Sequence, residues 1–331
     1  MIDVCRKPLR CGVVLAGGEG QRLQSFIRRL RGDSLPKQFV NFIGARSLLE
    51  HTFSRAEMLI PPERLYTVVS GNHLSHPEVR TQLSCRPEGT VIEQPENKET
   101  APGLLLPLMH LARRYPESVA AIFPSDHFIV EEALFMSHVD LALRIVERYS
   151  SFIVLLGIEP DEPESEYGYI LPDKEEGYLA PLRARRVSRF IEKPDATMVH
   201  ELLMGGALWN TMVMAFKVKT LLRLVRQTLP SLYAAFQRIR VAIGTRAEQE
   251  VVKAVYRPME IVNFSRGLLE THPQDHAMRL WVLPVRGVRW SDWGSEGRVV
   301  GMLRRLGYLE RLQQRPFADR VIPDLSDRSV A

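Results

Sequence analysis

The stretch Leu15-Ala16-Gly17-Gly18-Glu19-Gly20-Gln21-Arg22-Leu23, with Pro36-Lys37-Gln38-Phe39 some way after it, combines what an oligophosphate needs. Three glycines let backbone N–H groups approach an anion where a Cβ would block it, and Arg22 and Lys37 supply positive charge. The preceding Cys11-Gly12-Val13-Val14-Leu15 reads as a buried strand entering a phosphate-sized turn. A nucleoside triphosphate fits this chemistry, but two familiar phosphate loops do not. A P-loop closes on Gly-Lys-Ser/Thr where this chain has Gly20-Gln21-Arg22, and a dinucleotide fingerprint ends on Gly or Ala where Leu23 stands. Glycines alone would equally mark an ordinary strand-to-loop turn; Arg22 and the Pro36-Lys37-Gln38-Phe39 stretch weigh against that.

Two aspartates are placed to hold a divalent cation. Asp126 follows the apolar run Val119-Ala120-Ala121-Ile122-Phe123 and the step Pro124-Ser125, and Asp292 sits in Trp290-Ser291-Asp292-Trp293-Gly294. Magnesium takes few protein carboxylates and fills the rest of its octahedron with water and phosphate oxygens. The alternatives are a helix N-cap for Asp126 and a simple turn for Asp292. Gln94-Pro95-Glu96-Asn97-Lys98-Glu99-Thr100-Ala101-Pro102 ends a strand and opens a helix, with Thr100 able to cap it and Asn97 and Lys98 turned toward the same crevice. Glu192-Lys193-Pro194 sets an acid beside a base at a strand end. Side chains alternate along a strand, so both reach one ligand only if Pro194 marks a bend; a surface ion pair is the alternative. The acidic loop Asp161-Glu162-Pro163-Glu164-Ser165-Glu166 leads into Tyr167-Gly168-Tyr169-Ile170, where glycine lets a ligand lie against backbone. His127 adjoins Asp126 with no nucleophile beside it and reads as a supporting residue.

These residues need a frame, and the apolar pattern provides one. Strands over 13–16, 66–70, 90–93, 119–123 and 152–158 alternate with helices over 47–58, 102–114 and 131–147, which predicts an α/β fold: a mixed, mostly parallel central sheet covered by helices on both faces. Ligands gather at the carboxyl ends of such strands, so the glycine loop and Pro124-Ser125-Asp126-His127 should converge. The second half predicts antiparallel strands over 169–171 and 183–191, helices over 196–204, 220–228 and 246–256, an apolar run over 280–285 and an arginine-rich helix over 296–314. A catalytic domain over 1–295 with a short helical C-terminal extension and polar tail over 296–331 follows.

Composition excludes other classes. With 331 residues, 45% hydrophobic and 25% charged, the chain is globular in type. Its +5 charge is 44 basic against 39 acidic residues, spread thinly and without an aromatic nucleic-acid motif, so phosphate-rich small molecules rather than nucleic acid are expected. Three cysteines without a C-x-x-C pair fit a reducing compartment, and neither a signal peptide nor an apolar run of about 18 residues is present, so a cytoplasmic location with no membrane contact is expected. Packing of the arginine-rich terminal helix against a second subunit would make a homodimer.

Taken in order from Val13 to Gly294, the glycine loop, Pro36-Lys37-Gln38-Phe39, Thr100-Ala101-Pro102, Pro124-Ser125-Asp126-His127, Tyr167-Gly168-Tyr169-Ile170, Glu192-Lys193-Pro194, Trp209-Asn210 and Trp290-Ser291-Asp292-x-Gly294 resemble the sugar-1-phosphate nucleotidyltransferases. The resemblance is greatest to the mannose-1-phosphate guanylyltransferases, toward which Pro-Lys-Gln-Phe points. It implies a Rossmann-like nucleotidyltransferase fold in which mannose 1-phosphate attacks the α-phosphorus of GTP in line and magnesium pyrophosphate departs. It puts Leu15, Ala16, Gly17, Gly18, Gly20, Arg22, Lys37, Asn97, Thr100 and Ser125 along the nucleotide. Arg22 and Lys37 would stabilise the pyrophosphate, Asp126 and Asp292 would hold Mg2+, and Lys193 would neutralise the sugar phosphate. Glu192 and Asn210 would bond sugar hydroxyls while Gly168 admits the sugar to the backbone. The resemblance leaves two alternatives: another sugar 1-phosphate or nucleotide, and a silent regulatory homologue.

Three segments depart from the family pattern. Residues 24–35 form a longer connection than usual, expected as a mobile lid whose Arg28, Arg29 or Arg31 touches phosphates or, alternatively, as a solvated basic helix. Thr211-Met212-Val213-Met214 stands where Ser-Gly-Met-Phe is usual, and Asn263-Phe264-Ser265-Arg266-Gly267-Leu268-Leu269-Glu270 keeps the glutamate but has Ser265 for an aspartate.

Overall fold

The first strand, β1 (Arg10–Ala16), turns Val14 and Ala16 to one side and Cys11 and Val13 to the other, as extended chain requires. Each side meets its own apolar cluster, which makes β1 a central strand. The structure is a computed structural model that describes residues 8–174, 182–271 and 279–308. The further strands are β2 (Leu65–Ser70), β3 (Val91–Gln94), β4 (Val119–Pro124), β5 (Phe128–Ile129), β6 (Phe152–Ile158), β7 (Gly168–Pro172), β8 (Arg185–Glu192), β9 (Leu208–Lys217), β10 (Arg279–Val285) and β11 (Trp290–Ser291). Nine of them form one sheet in the order β3-β2-β1-β4-β9-β6-β10-β8-β7, and β11 pairs with β5 separately. The pairs β1–β2, β2–β3, β1–β4 and β6–β10 are parallel, whereas β9 runs antiparallel between β4 and β6. The β7–β8 pair is antiparallel as expected. Strand order therefore reverses between β1 and β4, which is where an open α/β sheet leaves a crevice.

The helices are α1 (Gln24–Arg31), α2 (Leu48–Glu57), α3 (Pro77–Leu83), α4 (Thr100–Arg114), α5 (Glu132–Arg148), α6 (Ala196–Met204), α7 (Val218–Thr228), α8 (Pro230–Ala242), α9 (Glu248–Tyr256) and α10 (Glu296–Arg305). Leu49 and Phe53 of α2 with Phe135 and Val139 of α5 cover one face; Leu104, Leu105 and Leu108 of α4 with Leu221 of α7 and Phe236 of α8 cover the other. Each such leucine, fully buried, contributes about 2 kcal/mol relative to an exposed one. The start of α2 was written in the sequence: Ser47 accepts from the Glu50 N–H while Glu50 accepts from the Ser47 N–H, a reciprocal cap.

Four expectations need correction. Of the two readings of residues 24–35 the structure has the basic helix, α1, and not a free loop; it is seated through Leu23 and the fully buried Ile27. Its Arg31 pairs with Asp33 and Glu78 and its Arg29 with Glu296, so these charges have protein partners. Second, the last helix stops at Arg305 and turns at Gly307 (φ 71°) rather than running on; residues 309–314 of that expectation, like the polar tail and Cys5, lie outside the described residues. Third, Thr100 does not cap α4: it is the first residue of the helix, after Glu99, which makes no side-chain capping bond, and the Thr100 hydroxyl instead accepts from the Phe264 N–H (2.8 Å). Fourth, β9 and α8, which the apolar pattern did not separate from their surroundings, are central elements. Val299, Met302 and Leu303 of α10 join the same core as β1 and α2. Among the described residues no helix is long and apolar enough to cross a membrane.

Candidate active site

Parallel pairing of β1 with β4 sets Leu15 against Pro124, so the turns that follow both strands open side by side. Ser125 fastens them: its N–H and its hydroxyl both donate to the Leu15 carbonyl, at 3.2 and 2.7 Å. Gln38 fastens the glycine loop from below, donating its amide to the carbonyls of Ala16 (2.9 Å) and Gly18 (2.8 Å). Ala16 and Ser125 are buried and line none of the three hollows described below. Gly20 has φ 61°, a conformation open to glycine at little cost.

Lys37 is the centre of the arrangement. Buried to all but 7% of its surface, its ammonium lies 2.9 Å from Asp126 Oδ2 and donates to the main-chain carbonyls of Asp292 (2.8 Å) and Trp293 (3.3 Å). Two turns distant in sequence are therefore held by one cation. Burial is the largest influence on the Asp126 carboxyl and raises it, but the Lys37 ammonium, together with His127 and a backbone hydrogen bond, holds the group below the usual carboxylate range. Asp126 is not an N-cap, since α5 begins at Glu132 after Glu131. Asp292 does make a turn, accepting from the Gly294 N–H (2.9 Å), and its carboxylate also takes the Tyr167 hydroxyl (3.1 Å) and pairs with Arg298 (2.9 Å). Trp293, fully buried against Phe128 and Phe42, has φ 45° and locks this turn.

His127 is the support expected of it. Trp290 Nε1 donates to its Nδ1 (3.2 Å), which leaves the proton on Nε2, 3.8 Å from Asp126 Oδ1. Desolvation is the largest influence on the ring and lowers its pKa to about 4, against attraction from Asp126 and Asp292 and with repulsion from Lys37 and Arg55. The unfolded chain takes up a proton near pH 6.5 that the folded chain refuses until about pH 4, so stability is full above 6.5 and falls as pH drops through that window. The loss is on the order of 3 kcal/mol. Melting His127→Gln across the same pH range should give a shallower acid loss than the parent; equal slopes would contradict this assignment.

Three hollows with shared lining residues lie along the crevice. One of 360 Å3 is walled by Gly20, Arg22, Lys37, Asn97, Asp126 and Gly294. Another of 250 Å3 is walled by Leu15, Gly17, Gly18, Gln94, Asn97 and Thr100. A third of 540 Å3 is walled by Glu192, Lys193, Val262, Asn263, Arg266 and Gly267. Glu99 borders all three. Lys98 is in none of these walls and pairs with Glu96 (3.0 Å).

Around the third hollow, the bend falls at Lys193 itself (φ 53°), whose N–H donates to the Tyr167 carbonyl (3.1 Å), rather than at Pro194. Glu192 donates its N–H to Glu270 (2.8 Å), and burial raises its carboxyl above the usual range while Lys193 opposes. Gly168 pairs with Glu192, and a Cβ there would lie 2.7 Å from the Glu192 carboxylate and 3.4 Å from the Asn210 side chain. The departing segments explain this wall. Between Asn210 and Met214 β9 slips against β6, a bulge centred on Met212 (φ 55°) whose N–H donates to Asn210 Oδ1 (3.0 Å). Ser265–Glu270 is a π-helical turn that carries Glu270 to β8. Glu99 (φ 71°), Lys193, Met212 and Trp293 are non-glycine residues with left-handed backbone, and all border the crevice or its supports.

Gln38, Glu99, Glu166, Glu270 and Arg298 take part without a site role having been expected of them. Gln38, Glu99, Glu166 and Glu270 lie inside stretches already noted, without a role of their own there; Arg298 carries no motif signal.

The larger cavity of 930 Å3, walled by Glu159, Asp161, Lys174, Arg183 and Arg286, contains none of the glycine-loop residues. Size is therefore a poor guide here, because that hollow lacks the convergent loops and the buried lysine.

A glycine loop, a buried lysine and two acidic turns thus meet at the switch point of a mixed sheet. The chain belongs to the nucleotidyl transferase family, whose model matches residues 11–295. It is similar to the xanthan biosynthesis protein XanB of Xanthomonas campestris pv. campestris, 30% identical over 227 residues, covering 68% of this chain and 46% of that protein. It is also similar to a mannose-1-phosphate guanylyltransferase of Escherichia coli, 29% identical over 231 residues, with 68% and 46% covered. The chain thus spans about half the length of these relatives. Among solved structures it resembles mannose-1-phosphate geranyltransferase from Thermus thermophilus, with 28% identity, a TM-score of 0.70 and 93% of this chain and 80% of that one covered.

Proposed function

We propose that the chain transfers GMP from GTP to α-D-mannose 1-phosphate, forming GDP-mannose and pyrophosphate by in-line attack of the sugar phosphate on the α-phosphorus. The observation that carries this reading is the meeting of three hollows at Glu99, one beside the glycine loop and one beside Lys193. A triphosphate along Gly17, Gly18, Gly20 and Arg22 and a sugar phosphate beside Lys193 would meet end to end. The choice of guanine and mannose is supported by the similarity to the E. coli guanylyltransferase.

Asp126 and Asp292 fit Mg2+ in donor chemistry: Lys37 binds the Asp126 carboxylate and the main-chain carbonyl of Asp292, which brings the two acidic turns together, and two carboxylates leave most of an octahedron for water and phosphate. Among the described residues no group of three or more candidate ligands forms. When bound, Mg2+ would supply positive charge against the triphosphate. The rest of the catalysis falls to positioning. Lys37 and Arg22 meet the negative charge that develops on the departing pyrophosphate, and Lys193 meets the attacking phosphate. Each unit repulsion between phosphates at about 4 Å costs roughly 4 kcal/mol at a surface-like dielectric, which these cations offset. Glu192, Asn210 and the Gly168 backbone orient the sugar.

Pyrophosphate release measured across four nucleoside triphosphates and a panel of sugar 1-phosphates tests the reading. Fastest release with GTP and mannose 1-phosphate is expected. Preference for another pair would move the specificity, and release with no pair would favour a regulatory homologue that binds nucleotide sugar without turnover.

A further inference from the structure

Arg298 of α10 lies beyond residue 295, where the family match ends, yet its side chain is only 11% exposed and contacts three carboxylates. Nη1 donates to Glu164 Oε2 (2.6 Å), and Nη2 donates to Glu166 Oε2 (3.0 Å) and to Asp292 Oδ2 (3.3 Å). Nε lies 2.9 Å from Asp292 Oδ1, and the guanidinium carbon stands 4.8 Å from the centre of the Tyr167 ring. Tyr167 donates its own hydroxyl to the same Asp292 oxygen, while Glu166 accepts from Arg22 (2.5 Å). A Cβ built on Gly294 would fall 2.4 Å from Arg298 Nη2, 2.5 Å from Asp292 Oδ2 and 2.9 Å from Arg22 Nη2, so both guanidinium groups and the carboxylate crowd one point.

The physical consequence concerns Asp292. An aspartate on a turn has a choice of rotamers, and a planar guanidinium that touches both carboxylate oxygens leaves it one. A guanidinium so little exposed must keep its partners, so docking α10 and aiming Asp292 happen together. We infer that Arg298 is a positioning residue, which holds the Asp292 carboxylate aimed at the divalent cation that accompanies the triphosphate and links that aim, through Glu166, to Arg22. The inference rests on the proposed reading of the crevice as a nucleotide and metal site. Its opposite is definite: were Arg298 only a competitor for Asp292, removing it would strengthen cation binding.

Calorimetric titration of GTP into the full chain at graded Mg2+ concentrations separates the two. With Arg298→Met, the Mg2+ needed for half of the metal-dependent gain in GTP affinity should rise about 10–100-fold. Affinity measured in chelator should change far less. Arg298→Lys, which keeps the charge but loses two-point contact, should give an intermediate rise, and it carries the test alone if the methionine variant does not fold. An unchanged or lowered Mg2+ requirement overturns the inference. If the parent chain binds another triphosphate in place of GTP, the guanylyl reading falls while the same titration with that nucleotide still judges Arg298. If no triphosphate binds, both fall.

Discussion

Asp126→Asn is expected to lower turnover of GTP with mannose 1-phosphate by about a thousandfold or more, some 4 kcal/mol of transition-state stabilisation, while the chain stays folded. Asparagine keeps the shape of the side chain, and the segment is fixed by other bonds, chiefly those from Ser125 to the Leu15 carbonyl. What disappears is a formal charge that burial resists and Lys37 sustains. Lys37 would keep the carbonyls of Asp292 and Trp293 as acceptors, so a collapse of the turn is not expected. Kinetics with a melting curve on the same sample distinguish loss of chemistry from loss of fold. Near-normal turnover would place the cation elsewhere.

Lys37→Met should be worse, because it damages both charge and architecture. The ammonium is the shared partner of Asp126, Asp292 and Trp293, and methionine fills its volume without its donors. An unpaired carboxylate and two carbonyls would be left at the crevice floor, though Asp126 is 32% exposed and water moderates the penalty. A loss of about 1–3 kcal/mol in stability is expected with kcat/KM down at least about a thousandfold. Denaturant unfolding and steady-state kinetics check the two separately. A variant equally stable and equally active would show that the buried lysine organises nothing.

Much of this site was legible because its residues lie at strand ends. Strand-length apolar runs gave β1 and β4, and α/β architecture then required their following turns to meet, which they do through Ser125 and Lys37. β9 was harder to read: Leu208–Lys217 is a largely apolar run interrupted by Asn210 and Thr211, and its bulge breaks the alternation that would mark a strand. A shared ligand for Glu192 and Lys193 required a bend, for which Pro194 was the residue in view, yet a left-handed lysine makes it, held by the Tyr167 carbonyl. Arg298 and Glu166 were out of reach because their meaning is a tertiary contact across 132 residues of sequence. Residues 24–35 gave the right composition for a basic helix, but nothing local revealed that Ile27 would seat it.

The most direct measurement is a crystal structure of the chain with GDP-mannose. The account predicts the diphosphate over Gly18, Gly20 and Arg22 and the mannose against Gly168, Glu192 and Asn210, with Lys193 on the sugar-side phosphate. GDP-mannose found instead in the 930 Å3 cavity beside Arg183 and Arg286, with the crevice between β1 and β4 open, would contradict it.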